Sequence, residues 1–157
     1  MFKKPLQILT VALAMTGVNA STAQAEGDYF KMAGVAQANF IDQGEGNPVV
    51  IIATLHGSVA AAGGKITAQR ETETGLEMDM EHYFMKEDGG FISTKDLGVL
   101  TAVPGKPDHY MLEVTYIVQP ELSTGTLVGY EGQFKSYGLV NLAKMEGLVR
   151  YSGTLQK

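Results

Sequence analysis

The chain of 157 residues contains no cysteine and no tryptophan, and its charged residues form no block of one sign. The absence of cysteine excludes disulfide bonds, thiolate metal sites, a cysteine nucleophile and a lipid anchor on an N-terminal cysteine. With 45% hydrophobic and 18% charged residues, the chain is too apolar for a disordered acidic segment. The composition therefore predicts one globular domain that folds without disulfide bonds.

Residues 1–25 have the three-part pattern of a secretory signal peptide. Two lysines stand near the start, Leu6–Val18 is a mainly apolar run, and Ala23–Ala25 supplies small residues around a cleavage position. The apolar run is shorter than the roughly 20 residues that a membrane-spanning helix requires, which leaves a retained anchor as the lesser alternative. We expect residues 26–157 to form a single mature domain that is periplasmic or secreted and is not inserted in a membrane.

The charge of the chain argues against two classes of partner. The formal net charge is -5, and removal of the leader takes away two of the 12 basic residues. The acidic residues that remain are scattered along the chain. Mild acidity of this kind favours solubility and is the opposite of the basic patch that nucleic acids or anionic membrane surfaces attract. We expect no nucleic-acid partner.

Apolar and polar residues alternate with a period of two along the mature chain, and turn residues recur at roughly 10–15-residue intervals, which is typical of an antiparallel sandwich or barrel. Helical periodicity is nearly absent. We expect the alanine-rich segment 58–64 to connect two strands. The pattern predicts strands over residues 29–41, 49–56, 65–71, 76–86, 91–96 and 109–119, and further strands within 125–142 and 146–156.

The segment 76–86 shows the alternation most clearly. One face carries Met78, Met80, His82 and Phe84, and the other carries the acidic residues Glu77, Asp79 and Glu81. A strand with one apolar and one charged face has one side in the core and the other in water. The carboxylate row is therefore interpreted as solvated rather than as an acid/base pair, and the glycines that follow predict a hairpin turn.

Eight or nine consecutive antiparallel strands joined by short turns favour an all-β fold, an eight-stranded antiparallel up-and-down barrel. Closure of such a barrel removes the exposed edge strands that an open sheet would leave. A two-sheet β-sandwich is the alternative. Glycines are frequent in the last third of the chain, and strand glycines mark the bends and bulges with which small barrels curve.

Part of the chain resembles a known superfamily. The strand, acidic-glycine turn and returning strand of residues 83–94, the Gly-Thr pair and aromatic-x-Gly step of 125–132, and Arg150–Gly153 are similar to the second half of the allene oxide cyclase and dirigent type of barrel. The resemblance covers residues 76–157, and its motifs are glycine and turn patterns. It implies an eight-stranded, lipocalin-like barrel, a homo-oligomer and often a trimer, that holds an apolar or phenolic molecule. It assigns no catalytic residue.

Several familiar chemistries find no support in the residues. The Gly-x-Ser-x-Gly signal of a serine nucleophile is absent. The three histidines, His56, His82 and His109, fall on different predicted strands and would meet at a zinc ion only if the register aligned them. The glycines at 125, 129 and 132 precede no predicted helix, which argues against a phosphate-binding loop. Residues 42–47 lack the further ligands of a calcium loop. We therefore expect no metal and no cofactor, and the catalytic residues, if any, stay unknown.

The inward faces of the predicted strands carry the remaining functional signal. If Met78 and Phe84 point inward, His82 does so too, and by the same phase Tyr110, Tyr116 and Tyr151 point inward among aliphatic residues. A mostly apolar interior with a few polar groups that orient a guest is typical of a ligand cavity. The competing interpretation is a filled barrel in which these side chains belong to the core.

Two functional hypotheses follow. The first is a secreted or periplasmic barrel that binds a small apolar or aromatic molecule, with cofactor-independent isomerisation or cyclisation of that molecule as an extension. The candidate ligand-binding residues are His82, Tyr110, Tyr116 and Tyr151. The second is a solid, non-enzymatic barrel that acts as an envelope interaction, inhibitor or structural module.

Overall fold

A computed structural model describes residues 27–157 of the chain, so the signal peptide predicted for residues 1–25 lies outside the described residues. Two short 3-10 helices, Pro120–Leu122 and Gly125–Leu127, stand between the sixth and seventh strands. Among residues 27–157, no helix has the length and apolar character needed to cross a membrane. The strands are β1 (Tyr29–Ile41), β2 (Val50–Gly57), β3 (Ala61–Thr72), β4 (Gly75–Met85), β5 (Phe91–Ala102), β6 (His109–Val118), β7 (Gln133–Asn141) and β8 (Glu146–Gln156).

The eight strands form a closed antiparallel barrel in which each strand pairs with its neighbours in the chain and β8 pairs with β1. The closing ladder extends from Tyr29 opposite Gln156 to Asn39 opposite Glu146. This ladder satisfies the backbone groups that two edge strands would leave unpaired. The predicted up-and-down barrel is confirmed, and the sandwich alternative is wrong because no second sheet is present among the described residues.

Two predicted strand boundaries need correction. Residues 58–64 were expected to connect two strands, but Ala61 already pairs with Thr54 and with Met85. Only residues 58–60 form the connection, because alanine and glycine are small enough to lie in a strand where the barrel curves tightly. The strand predicted over 91–96 continues to Ala102, since the alternation of Asp96, Gly98 and Leu100 on the inner face extends it.

The turn after β4 has the predicted conformation. Gly89 has a φ of +88°, a value that side chains other than glycine adopt rarely. Asp88 stabilises the turn, because its carboxylate accepts hydrogen bonds from the backbone N–H of Gly90, from Lys86 and from the hydroxyl of Thr126. The hydrogen bond from Lys86, together with the other two, lowers the pKa of Asp88 to about 2.

One end of the barrel is filled with side chains. The segment between β6 and β7 covers this end, and its Leu127 is almost completely buried. Aromatic rings of Phe84, Tyr116 and Phe134 pack together below it, and the centroids of the last two are 4.6 Å apart in a stacked arrangement. Met32 and Leu155 complete this packing with no exposed surface. Within residues 27–157, no such segment covers the other end of the barrel.

Candidate ligand cavity

A cavity of about 230 Å³ occupies the half of the barrel that lies away from the covered end. This volume exceeds the roughly 150 Å³ of an apolar cavity that is large enough to bind benzene. The floor is formed by Phe84, Tyr116 and His82, and the remaining walls are almost entirely aliphatic. At the mouth, where β1, β3, β5 and β7 end, the lining residues are Phe40, Val49, Gln69, Leu76, Leu142 and Met145.

The barrel is hollow here because four neighbouring strands carry very small side chains at paired positions. Ala53 of β2 pairs with Ala38 of β1 on one side and with Ala62 of β3 on the other. Ala38 also pairs with Gly147 of β8, so the row of small residues continues across the closing ladder. All four residues line the cavity. Larger side chains at these positions would reach the barrel axis, as Phe84 does opposite Ala62.

A β-bulge in β3 directs the exposed polar side chain of Gln69 toward the cavity. The register between β3 and β4 shifts between Ile66 and Ala68, with Thr67 as the extra residue. After the shift, Gln69 pairs with Met78, whose side chain points inward. Gln69 therefore faces the mouth of the cavity, although an uninterrupted alternation from Ile66 would direct it outward.

The central polar group of the floor is a buried histidine–aspartate pair. His82 Nδ1 lies 2.6 Å from Asp96 Oδ2, and the two side chains are 7% and 0% exposed. They come from adjacent strands, β4 and β5, at diagonal positions, since His82 pairs with Thr94 and Asp96 pairs with Met80. The short separation is typical of a charge-assisted hydrogen bond, and the contact fixes the orientation of the imidazole ring.

Tyr116 stands beside the histidine, with its ring edge-on to the imidazole at a centroid distance of 5.5 Å. Its hydroxyl is 3.0 Å from the hydroxyl of Ser136 on β7, and both residues are buried. Burial raises the pKa of Tyr116 above its usual range, with the charge of Asp96 acting in the same direction and the Ser136 hydrogen bond opposing it. Tyr116 is therefore a neutral hydroxyl at physiological pH.

The structure separates the four residues predicted to contact a ligand. His82 and Tyr116 line the cavity. Tyr151 is buried at the covered half, where a β-carbon at Gly34 or at Gly57 would overlap its hydroxyl. Tyr110 is half-buried at the other end of β6 and packs against the edge of the core. Contact of His82 and Tyr116 with a ligand stays a prediction. Tyr110 and Tyr151 lie outside the cavity lining.

Sequence reasoning missed the partners of the two cavity residues, Asp96 and Ser136. The sequence did contain one signal for Asp96. Ile92, Thr94 and Asp96 occupy every second position of β5 and therefore share its inward face. An aspartate on the same inward strand face as a buried aliphatic residue is unusual unless its carboxylate has a hydrogen-bond or ion-pair partner. Its partner could be identified only from the register of β4 and β5.

The acidic row on the outside of β4 has the solvated role that the alternation indicated. Arg70 donates two hydrogen bonds to Asp79, at 2.6 and 2.9 Å, and the Arg70 side chain lies 3.6 Å from Glu77. The hydrogen bond from Arg70 lowers the pKa of Asp79. Lys65 lies 3.2 Å from Glu81. Each carboxylate faces a cation on β3 in water, and none reaches the cavity.

The arrangement offers no metal site in the part of the chain that the structure describes, since no three His, Asp or Glu side chains there are grouped to hold an ion. His56 is exposed on β2, and His109 lies at the start of β6, where its Nδ1 is 2.8 Å from the carbonyl oxygen of Pro107. The chemistry of the cavity therefore rests on one imidazole, its aspartate and a tyrosine hydroxyl.

Comparison of the chain with protein-family models, with curated proteins and with solved structures gave no match.

Proposed function

We propose that the protein is a periplasmic or secreted barrel that binds a small apolar or aromatic molecule in the cavity. The observation that carries the proposal is a hollow of about 230 Å³ whose wall is apolar except for His82 and Tyr116 at the floor and Gln69 at the mouth. Apolar burial drives such binding, and a few polar groups orient the guest. The row of small residues on β8, β1, β2 and β3 supports the proposal, because a larger side chain at any of these positions would occupy part of the space.

The test is the stability of the purified protein in the presence of a panel of small apolar and aromatic compounds. A ligand that binds only the folded state raises the melting temperature in proportion to the logarithm of its concentration. Native mass spectrometry of protein purified from its own compartment asks whether a molecule is already bound. An unliganded mass together with no thermal shift across the panel would contradict the proposal.

A matched pair of variants localises the binding. Ala53→Leu places a larger side chain in the cavity, and Thr54→Leu makes a comparable change on the outer face of the same strand. The first substitution is expected to reduce the thermal shift, and the second is expected to preserve it. If both variants respond to ligand as the unmodified protein does, the ligand binds elsewhere.

Cofactor-independent isomerisation or cyclisation of the guest is the chemical extension of this proposal. His82 is the group at the floor whose imidazole ring can act as a general acid or a general base. Incubation of protein and guest in deuterated water tests it, because proton transfer to carbon leaves deuterium in the guest. His82→Phe keeps an aromatic ring and removes both ring nitrogens. Equal deuterium incorporation by the two proteins would exclude His82 as the acid or base.

The cellular location is part of the proposal and has a direct test. The signal-peptide pattern of residues 1–25 predicts that the exported protein begins at Glu26. The intact mass of the protein recovered from the cell envelope or the medium gives its first residue. A mass that includes the leader would contradict export through signal-peptide cleavage.

A second candidate function, an interaction module, is favoured by the outer face of β6, β7 and β8. Met111, Leu139 and Leu148 are direct cross-strand neighbours there, and each is about half exposed. An apolar row of this kind on a soluble barrel is suited to contact with another protein or a second copy of the chain. The homo-oligomer implied by the resemblance, often a trimer, would use such a surface.

A further inference from the structure

The pair of His82 and Asp96 restricts the chemistry of the guest, and the argument rests on the function proposed above. Asp96 Oδ2 contacts His82 Nδ1, and Asp96 Oδ1 has no hydrogen-bond partner among residues 27–157. The buried polar and charged residues of that region include neither lysine nor arginine. Within the described part of the chain, the imidazole is therefore the one buried group that compensates a negative charge on this carboxylate.

Three distributions of protons fit the 2.6 Å contact between the two side chains. An imidazolium can donate to a carboxylate, or a protonated Asp96 can donate to neutral His82, and both states have no net charge. In the third, neutral His82 donates from Nδ1 to a carboxylate and the pair carries a net charge of about -1. An uncompensated charge in an apolar interior costs several kcal/mol, whereas a paired one is tolerated.

Both uncharged states leave a hydrogen on Nε2 of His82. In the imidazolium both ring nitrogens carry hydrogens, and when Asp96 donates to Nδ1 the hydrogen of the neutral ring must be on Nε2. Electroneutrality of the buried pair thus makes Nε2 a hydrogen-bond donor, whichever of the two states is occupied. The lone-pair form of Nε2, which would accept a hydrogen bond, belongs to the charged state.

The ring is oriented so that this donor faces the cavity. Nδ1 is directed to Asp96 on β5, and the Cδ2 edge lies against Gly64 of β3, where an added β-carbon would overlap it. The far edge of the ring, which contains Nε2, therefore points to the barrel axis. The neighbouring hydroxyl of Tyr116 is engaged with Ser136 at 3.0 Å. Among the polar side-chain atoms of the floor, Nε2 of His82 is the one that makes no hydrogen bond to residues 27–157.

We infer that the guest is an uncharged carbonyl compound whose oxygen accepts a hydrogen bond from His82 Nε2 at the cavity floor. A carbonyl oxygen projects from its skeleton, so it can reach the imidazole while the apolar remainder fills the aliphatic walls. A carboxylate would accept the same hydrogen bond, but it would bring an uncompensated negative charge beside Asp96. A hydrocarbon would leave the Nε2 donor unsatisfied.

The protein without added ligand tests the first step. Nitrogen-15 NMR of histidine-labelled protein distinguishes a ring nitrogen that bears hydrogen from one that carries a lone pair, and His82→Phe assigns the signals. We expect Nε2 of His82 to be hydrogen-bearing at pH 7. A lone-pair signal for that nitrogen would overturn the inference and would leave the cavity proposal standing.

Three naphthalene probes of similar shape test the guest class: 2-acetylnaphthalene, 2-naphthoate and 2-ethylnaphthalene. We expect the ketone to bind about tenfold more tightly than the ethyl compound, the equivalent of one hydrogen bond, and more tightly than the carboxylate. In His82→Phe the advantage over the ethyl compound should disappear. The carbonyl stretching frequency of the bound ketone should fall below its value in an alkane solvent, which requires no variant.

The outcomes separate this inference from the function on which it rests. If the ethyl compound binds as tightly as the ketone, if the carboxylate binds best, or if the carbonyl frequency is that of an alkane solution, the guest class is wrong although the cavity binds ligands. If none of the three probes binds to the unmodified protein, and the wider panel also gives no shift, the proposed function itself fails. Preference for the ketone that depends on His82 supports both.

Discussion

Enlargement of Ala53 discriminates a hollow barrel from a filled one by the sign of its effect on stability. Ala53 points into the cavity from the middle of β2, between Ala38 and Ala62. Ala53→Leu adds three carbon atoms, each about the size of a water molecule at roughly 30 Å³. They need less than half of the 230 Å³ that the cavity offers. The added side chain should therefore be buried without displacing its neighbours.

The magnitude follows from the burial of those atoms. Each buried carbon contributes about 0.8 kcal/mol, or roughly 2.4 kcal/mol for three. Fixing a leucine side chain costs about 0.5–1 kcal/mol of rotamer entropy. The free energy of unfolding should rise by about 1.5 kcal/mol, equivalent to an increase of roughly 5 °C in melting temperature for a domain of this size.

The assay is urea denaturation followed by circular dichroism, with the melting temperature as a second measure. Gly153→Ala at the covered end serves as the control, because a β-carbon there would lie 2.8 Å from the Cα of Phe134. This variant should lose about 1–3 kcal/mol, as overpacked cores do. A loss of stability of similar size in Ala53→Leu would refute the reasoning, since it would mean that no usable space exists beside Ala53.

Three further predictions concern other parts of the molecule. Asp96→Ala should reduce the free energy of unfolding by about 1–3 kcal/mol, because His82 Nδ1 loses its buried partner. The double variant His82→Phe with Asp96→Leu should recover most of that loss, and urea denaturation that shows equal losses would disprove the coupling. Because the pKa of Asp88 is lowered to about 2, its carboxylate stabilises the fold at neutral pH and this contribution is lost as the pH falls through that value. Asp88→Asn should accordingly be less stable than the unmodified protein at pH 6 and equally stable near pH 2, and a difference that stays constant with pH in urea titrations would contradict this. If the outer apolar row forms an oligomer interface, Leu139→Lys should convert the protein to monomers in sedimentation experiments, and an unmodified protein that already sediments as a monomer would exclude that interface.

Most of the fold could be predicted from local patterns. The alternation of Met78, Met80, His82 and Phe84 with acidic residues is a property of neighbouring positions, and each strand shows its inner face without reference to any other strand. Turn residues such as Gly89 separate the strands and indicate antiparallel neighbours. The number of strands then makes closure the arrangement that protects the edges.

The strand ends were less predictable. Ala61 lies in β3, although its neighbours resemble a connection, because pairing with Thr54 and Met85 on two other strands holds it there. The bulge at Thr67 changes which residues of β3 face inward and directs Gln69 to the cavity. Both features depend on contacts with distant parts of the chain, which a local pattern does not contain.

The sequence by itself determined that His82 and Tyr116 point into an apolar interior, because a period of two assigns every side chain of a strand to one face or the other. The tertiary structure alone decided which inward residues meet. Register places Asp96 beside His82 and sets the small residues Ala38, Ala53 and Ala62 in one row. The reason is physical: the face of a residue is a local property, whereas its cross-strand neighbours and the space between them exist only after the barrel has closed.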